Sequence, residues 1–426
     1  MVKQLVTRGL AIVVILEVAA VGIRYSLQVI LARLAGPEGY GTYTYALTWA
    51  QTLTIPAGLG LASVVIRYVP TYLAKEDWQH LAGLISRTRV FTLISGLILG
   101  GLGVVATLTL SDPGVTRTTL TIAFASVPLL ALATLQAETL RGGGQLFSSR
   151  IVPTVLQPLL VIATCVGVAL ILGELSAVHA VLCLVAATAV GVAIQQVALR
   201  RSFPRSSARA HSTREWLRVG RHLMTIKVFQ LVLNSSDIIL VGALLGVTSA
   251  GLYAAASKTA AMAGLISQAV NLAVPPYIAR AYAEGDRSSI QRQLRWSAKI
   301  GFLPTVGLAT GVILLADPVL GAFGPAFKGA SDALIVLTVG RLVSALMGPV
   351  GSVLNVTGHQ RINLLVYGVA ALLQVALVLL LVPILGMLGA AVACSVVTVL
   401  WNAVLYVMVM RIIGVRLWPL AARRTI

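Results

Sequence analysis

Charge is scarce in this chain, and acidic charge most of all. Of 426 residues, 11% are Asp, Glu, Lys or Arg, and only 13 carry a carboxylate side chain. Soluble domains carry about 25% charged residues, so a water-soluble fold is excluded. Cysteine is nearly absent. Cys165, Cys183 and Cys394 lie inside apolar runs without paired spacing, which supports neither a disulfide framework nor a zinc site. The histidines (His80, His179, His211, His222 and His359) form no i, i+4 pair, so the sequence offers no helical metal motif. No cofactor and no metal are expected.

What fills the chain is apolar: 58% hydrophobic residues and a mean hydropathy of +0.93. Apolar windows of about 20 residues, the length that crosses a bilayer as a helix, predict twelve spans. They cover 9–34, 39–67, 88–110, 118–140, 151–172, 177–199, 221–244, 249–277, 298–316, 331–354, 362–384 and 387–410. The start, with Lys3 and Arg8 before an apolar run, superficially resembles a signal peptide. Glu17 within the run and Arg24 after it argue against a cleaved segment, and it is read as the first span. Pro56, Pro128, Pro153, Pro158, Pro275, Pro276, Pro304 and Pro349 fall within spans, so kinks are expected.

The formal charge of +19 would suggest a nucleic-acid partner in a soluble protein. Here the basic residues sit in the breaks between spans. If both ends are cytoplasmic, the inside breaks hold nearly all of them and the outside breaks only Arg33, Arg117 and Lys328. Cationic loops stay on the cytoplasmic side during insertion. The reading is a multi-pass protein of the inner or plasma membrane, both termini cytoplasmic, touching anionic lipid and no nucleic acid. Trp78, Trp216, Trp296 and Trp418 mark the inner interface, and Tyr40, Tyr43, Tyr45 and Tyr253 the outer one. The Arg-rich break between spans six and seven divides the chain. It gives a six-helix lobe over 1–200, a basic cytoplasmic linker over 201–220, a second six-helix lobe over 221–411 and a basic tail over 412–426.

The two halves repeat. Gly36-Pro-Glu-Gly-Tyr-Gly-Thr-Tyr43 opens the second span and Gly246-Val-Thr-Ser-Ala-Gly-Leu-Tyr253 the eighth, offset by 210. Arg150 and Arg361 begin the fifth and eleventh spans at offset 211, and Gly173 and Gly386 precede the last span of each half at offset 213. A duplicated six-helix unit predicts such a recurring offset. Six spans return the chain to its starting side, so the repeats share one orientation.

The stretch Leu31-Ala-Arg-Leu-Ala-Gly-Pro-Glu-Gly-Tyr-Gly-Thr-Tyr43, followed by Ala57-Gly-Leu-Gly-Leu-Ala-Ser63 and Ile66-Arg-Tyr68, resembles the opening of Wzx-type polysaccharide flippases. Leu381-Val-Pro-Ile-Leu-Gly-Met-Leu-Gly-Ala-Ala-Val-Ala393 is similar to the last helical hairpin of that family. It sits in the multidrug/oligosaccharidyl-lipid/polysaccharide exporter (MOP) superfamily, with the lipid II flippases and MATE exporters. The resemblance implies an all-α polytopic membrane protein of about 12 transmembrane helices, in two pseudo-symmetric six-helix lobes around a central cavity. It also implies transfer of a polyprenyl-diphosphate-linked oligosaccharide to the outer leaflet for surface polysaccharide synthesis. A polysaccharide polymerase or ligase would be the pathway partner, and a monomer is the expected state. The motifs carry no catalytic residues.

Ionisable groups within spans cost about 2.5–3.5 kcal/mol each on insertion scales, so each asks for a reason. The basic ones are Arg24, Lys227, Lys258 and Arg341, and the acidic ones Glu17, Glu138 and Asp237. A diphosphate needs cations to replace the water it loses, and arginine does so with a bidentate fork. Arg24, Lys258, Arg341 and Lys227 are therefore the candidate substrate contacts. Arg24 lies two turns after Glu17, so a structural pair or an interface position is its alternative role. Arg341 heads a small polar stripe with Ser344, Ala345, Gly348, Ser352 and Asn355, which suits a cavity wall or a packing seam. Glu17, Asp237 and Glu138 are candidates for coupling to H⁺ or Na⁺ or for charge pairing. A cation-coupled multidrug antiporter on the same fold would call for surplus carboxylate. A membrane glycan polymerase or ligase would need a larger outer platform than these short loops allow.

Overall fold

The computed structural model describes residues 2–203, 210 and 212–414, with side chains from residue 20 onward except at 146, 147, 222, 272 and 273. Among these residues every regular element is helical, and the chain divides into two compact units, Met1–Val228 and Phe229–Ile426.

The first unit contains α1 (Val2–Ala57), α2 (Leu61–Ala74), α3 (Trp78–Leu110), α4 (Val115–Ala125), α5 (Val127–Gly142) and α6 (Leu146–Ile151). A π-helical turn, Val152–Leu156, leads into α7 (Gln157–Leu172), and α8 (Ala177–Ser202) follows. The boundary between units falls inside α9 (Thr213–Leu245). The second unit continues with α10 (Val247–Ala263), α11 (Leu265–Ala273), α12 (Pro275–Ala283), α13 (Arg287–Leu314) and α14 (Ala316–Gly321). A 3-10 segment, Pro325–Ala330, precedes α15 (Ser331–Leu346), α16 (Val350–Val356), α17 (Gln360–Leu385) and α18 (Met387–Ile413).

Among the described residues, eight helices are long and apolar enough to cross a membrane, and two bent pairs bring the number to ten. The remaining predicted windows are accounted for by two interruptions. A kink at Gly36 divides α1, and the eighth window is broken into α10, α11 and α12. Prolines sit at these and other breaks: Pro153 in the π-helical turn, Pro128 and Pro275 at helix starts, Pro349 between α15 and α16. Each lacks the amide that an unbroken helix would require there.

The apolar surface is turned outward, as lipid demands. Val90, Ile94, Leu97, Ile98, Leu102, Val105 and Leu108 run exposed along α3, and Leu365, Val369, Leu372, Leu379, Leu380 and Ile384 along α17. In a bilayer, burying such residues gains little, and close packing holds the helices together instead. Small residues make that approach: a Cβ on Gly96 would stand 2.7 Å from Pro128 Cα, and one on Gly100 2.6 Å from the Phe124 carbonyl. Many buried hydroxyls are satisfied within their own helix, although those of Thr44 and Thr92 have no partner among the described residues. Thr48, Thr88, Thr139, Thr259, Thr305 and Thr338 each donate to the carbonyl four residues back.

The repeat is written into the turns. Gly36 (φ 68°, ψ 178°) and Gly246 (φ 87°, ψ 165°) share a backbone conformation that a side chain would strain. Asp77 and Asp286, offset by 209, each cap the third long helix of their half, accepting from the amides of His80 and Ser289. The tyrosines that follow the two glycines are not interfacial as predicted. Tyr40, Tyr43 and Tyr253 are 1% exposed or less, because the reversal at each glycine turns the next helical turn into the bundle. Tyr40 donates to Gln28 Oε1 at 3.1 Å.

Trp216 also departs from its predicted interfacial position. Because α9 begins at Thr213, Trp216 lies on a helical face and is buried among Leu61, Val64, Val65, Val69, Leu81, Leu84 and Leu135. Its Nε1 donates to Tyr72 Oη at 3.1 Å, while Tyr68 Oη donates to Glu215 Oε1 at 2.6 Å. The α2 residues in this cluster recur at helical spacing, the apolar stripe of an amphipathic helix.

Candidate functional site

The second unit holds a cavity of about 280 Å³, close to the lower end of ligand-sized pockets. Its walls come from α9, α11, α13, α15, α17 and α18. One full cation, Arg341, faces it, together with six carboxamides: Gln230, Asn234, Gln268, Asn271, Gln374 and Asn402. Ser267, Ser297, Ser344, Tyr367, Thr398 and Trp401 complete the polar and aromatic lining, and no carboxylate contributes among the described residues.

Several of these groups are fixed by bonds to the scaffold. Gln374 Nε2 donates to the Leu233 carbonyl and to Ser236 Oγ, both at 3.1 Å. Asn402 Nδ2 donates to Ser344 Oγ and to the Thr398 carbonyl, both at 2.8 Å. With their N–H groups so committed, the amide oxygens are left as acceptors. Trp401 packs edge-on against Tyr367, ring centroids 5.1 Å apart. Arg341 forms no hydrogen bond or salt bridge among the described residues, although it is only partly exposed.

A much smaller cavity of about 30 Å³, room enough for water, adjoins it through shared wall residues Leu233, Asn234, Arg341 and Thr398. Asp237 lines this one. Its carboxylate accepts from the Ile238 amide at 2.9 Å, from Tyr253 Oη at 3.0 Å and from Cys394 Sγ at 3.6 Å. These groups tie α9, α10 and α18 together through one buried charge-bearing side chain.

The predicted site residues do not form one cluster. Arg341 and Asp237 line the same small cavity. Lys258 lies on α10, next to the lining residue Ser257 but outside both linings. Lys227 is exposed on α9. Arg24, on α1, is exposed and its Nε donates to the Ala20 carbonyl at 3.3 Å. Glu138 pairs along α5 with Arg141 at 3.4 Å, the neighbour spacing of a helix surface. Glu17 lies outside the described side chains. The polar stripe begins as predicted, with Arg341, Ser344, Ala345 and Gly348 on the larger cavity. It then breaks at Gly348–Pro349, where α15 gives way to α16. Beyond the break, Ser352 donates to the Asn271 carbonyl and Asn355 accepts from Asn363.

Sequence reasoning missed Gln230, Gln374, Thr398, Trp401 and Asn402. A carboxamide in an otherwise apolar span is costly unless satisfied, and Gln374 and Asn402 carry that signal.

Residues 6–282, well over half of the chain, match the family described as polysaccharide biosynthesis protein. The chain belongs to that family. The MatE family model also matches, over residues 223–380. A probable low-salt glycan biosynthesis flippase, Agl15 of Haloferax volcanii, is 24% identical over 160 residues, 37% of this chain and 34% of that protein. The matching segment thus spans about a third of that curated relative.

The fold is similar to that of an inward-facing multidrug resistance MATE family transporter of the MOP superfamily: TM-score 0.76, 16% identity, covering 92% of this chain and 94% of the other. It is similar also to lipid II flippase MurJ in an inward closed conformation: TM-score 0.72, 16% identity, covering 93% and 86%. At such identities the likeness speaks for the two-lobe MATE-like fold. Family and fold together make this polysaccharide biosynthesis protein a multi-pass membrane protein of MATE-like fold.

Proposed function

We propose that the protein carries a polyprenyl-diphosphate-linked oligosaccharide from the cytoplasmic to the outer leaflet by alternating access, for surface polysaccharide synthesis. The observation that carries this reading is the hydrophilic cavity inside an otherwise lipid-facing helical unit, with Arg341 as its one cation among the described residues. An uncharged drug would not need an unpaired guanidinium, and a cationic one would meet repulsion there. The family match and the likeness to flippases in fold support the same reading, and transport of this kind needs no catalytic residue. The distribution of basic residues supports cytoplasmic termini in the inner or plasma membrane. A polymerase or ligase would take the delivered glycan.

Asp237 is the best-placed candidate for coupling to H⁺ or Na⁺, because it shares a cavity wall with Arg341. A ligand drives a conformational change only through different affinities for the two states. An anion on Arg341 would change the charge that Asp237 meets across the wall they share and so supply such a difference.

Depletion of the protein in its host, read by the leaflet on which lipid-linked glycan accumulates, tests the proposal. Accumulation on the cytoplasmic leaflet with loss of surface polymer is expected. Accumulation on the outer leaflet would instead assign the protein to polymerisation or ligation and overturn it.

A further inference from the structure

The larger cavity of the second unit is rich in carboxamides and poor in charge, and that balance is informative about what it holds. A diphosphate presents several negative charges that need several cations, yet one guanidinium lines this space. Six carboxamides around one Arg and one Trp fit a different ligand. Vicinal hydroxyls both donate and accept, which is what an amide does in return, and an indole offers an apolar face with a polar edge.

Resting on the flippase reading above, we propose that this cavity is a saccharide subsite for a sugar ring bearing one carboxylate, a hexuronate-class residue of the glycan. Arg341 takes the carboxylate through its donor fork. The acceptor oxygens of Gln374 and Asn402, whose N–H groups are held by the scaffold, take hydroxyl protons. Gln268 and Asn271, which hold no protein group with their side chains among the described residues, supply both donors and acceptors. Trp401, braced by Tyr367, lies against the ring's C–H face. The volume of about 280 Å³ suits a sugar or two rather than a whole repeat, so the subsite reads one residue of the cargo. The diphosphate is then held elsewhere.

The test uses the full chain in lipid nanodiscs, titrated at constant ionic strength with sodium glucuronate, glucose or inorganic pyrophosphate. Binding is read as the tryptophan emission change that Trp401→Phe abolishes. Glucuronate is expected to bind, glucose to bind more weakly, and pyrophosphate not to displace glucuronate. Arg341→Gln should weaken glucuronate about tenfold or more, the effect of losing one charge-assisted hydrogen-bonded pair, while leaving glucose unchanged. Gln268→Ala and Asn271→Ala, which remove no scaffold bond, should weaken both sugars alike and keep the test valid if Arg341→Gln fails to fold. Displacement of glucuronate by pyrophosphate would make the cavity a diphosphate site and overturn the proposal. So would the absence of any Trp401-dependent response to glucuronate up to tens of millimolar. Translocation of a lipid-linked glycan by protein that binds no uronate would sink the subsite alone. Uronate binding without translocation of any lipid-linked glycan would sink the flippase reading instead.

Discussion

Replacing Asp237 with asparagine removes charge from a carboxylate that three helices share. Asp237 is 5% exposed and Tyr253 fully buried, with Tyr253 Oη 3.0 Å from Asp237 Oδ2. Hydrogen bonds to charged groups contribute about 1.5–3 kcal/mol in soluble proteins. Between membrane helices the measured average is about 0.6 kcal/mol with a maximum near 1.7, because the unfolded chain in lipid also finds partners. Complete enclosure of this pair places it at the top of the membrane range, about 1.5 kcal/mol. A double-mutant cycle of Asp237→Ala and Tyr253→Phe, read by reversible unfolding in mixed micelles, should return a coupling of that size. Asp237→Ala should cost more than Asp237→Asn, by about 1–3 kcal/mol, because it strands a buried phenolic donor. Coupling indistinguishable from the ~0.3–0.5 kcal/mol additivity error, or equal loss for both Asp237 variants, would refute the three-helix tie.

Other regions give independent tests. Trp216→Ala, opening the core between α2, α3 and the start of α9, should destabilise the first unit by about 3–5 kcal/mol, with Trp216→Phe costing less; unfolding of both variants checks this. Gly60 has φ 69°, and a Cβ there would stand 2.1 Å from the Gly220 carbonyl oxygen. Gly60→Ala should therefore lose more than the ~1–2 kcal/mol of left-handed strain alone and show little monodisperse protein by size exclusion. Asp77 and Asp286 are held below the ordinary carboxylate range, chiefly by the backbone amides of His80 and Ser289. Their capping is thus complete above that range and lost as pH falls through the lowered values. Amide exchange at His80 and Ser289 should quicken on acidification, and Asp77→Asn should remove the pH response at His80.

Hydropathy made the membrane class and the helical windows legible, because twenty apolar residues in a row have few other uses. The duplication was legible through Gly36, Gly246, Gly173 and Gly386, since a turn that requires positive φ leaves a residue-specific trace. The inward turn of Tyr43 and Tyr253 was not, because tyrosine is at home both in interfacial belts and in helix packing. Nor was the Asp237 arrangement, whose partner Cys394 lies 157 residues away. Periodicity tells which residues share a face of one helix and says nothing of the helix opposite. The cavity fared in between. Arg341, Ser344 and Gly348 announced a wall, but the partners of Gln230, Gln374 and Asn402 at helical spacing on α9, α17 and α18 mix apolar and aromatic residues with polar ones, so no single helix shows the polar face they form together. Formal charge marks candidates without saying what each faces: Glu138 pairs with its helix neighbour Arg141, the charge-pairing role foreseen for it, and Lys227 lies on an exposed helical face.

Reconstitution tests the central claim most directly. Purified protein in proteoliposomes is given a polyprenyl-diphosphate-linked oligosaccharide that carries a hexuronate on one leaflet, and its arrival on the other is followed with a membrane-impermeant glycosidase. The account predicts protein-dependent transfer that Arg341→Gln strongly slows while leaving the protein folded. Transfer no faster than in protein-free vesicles, or transfer indifferent to Arg341, would contradict it.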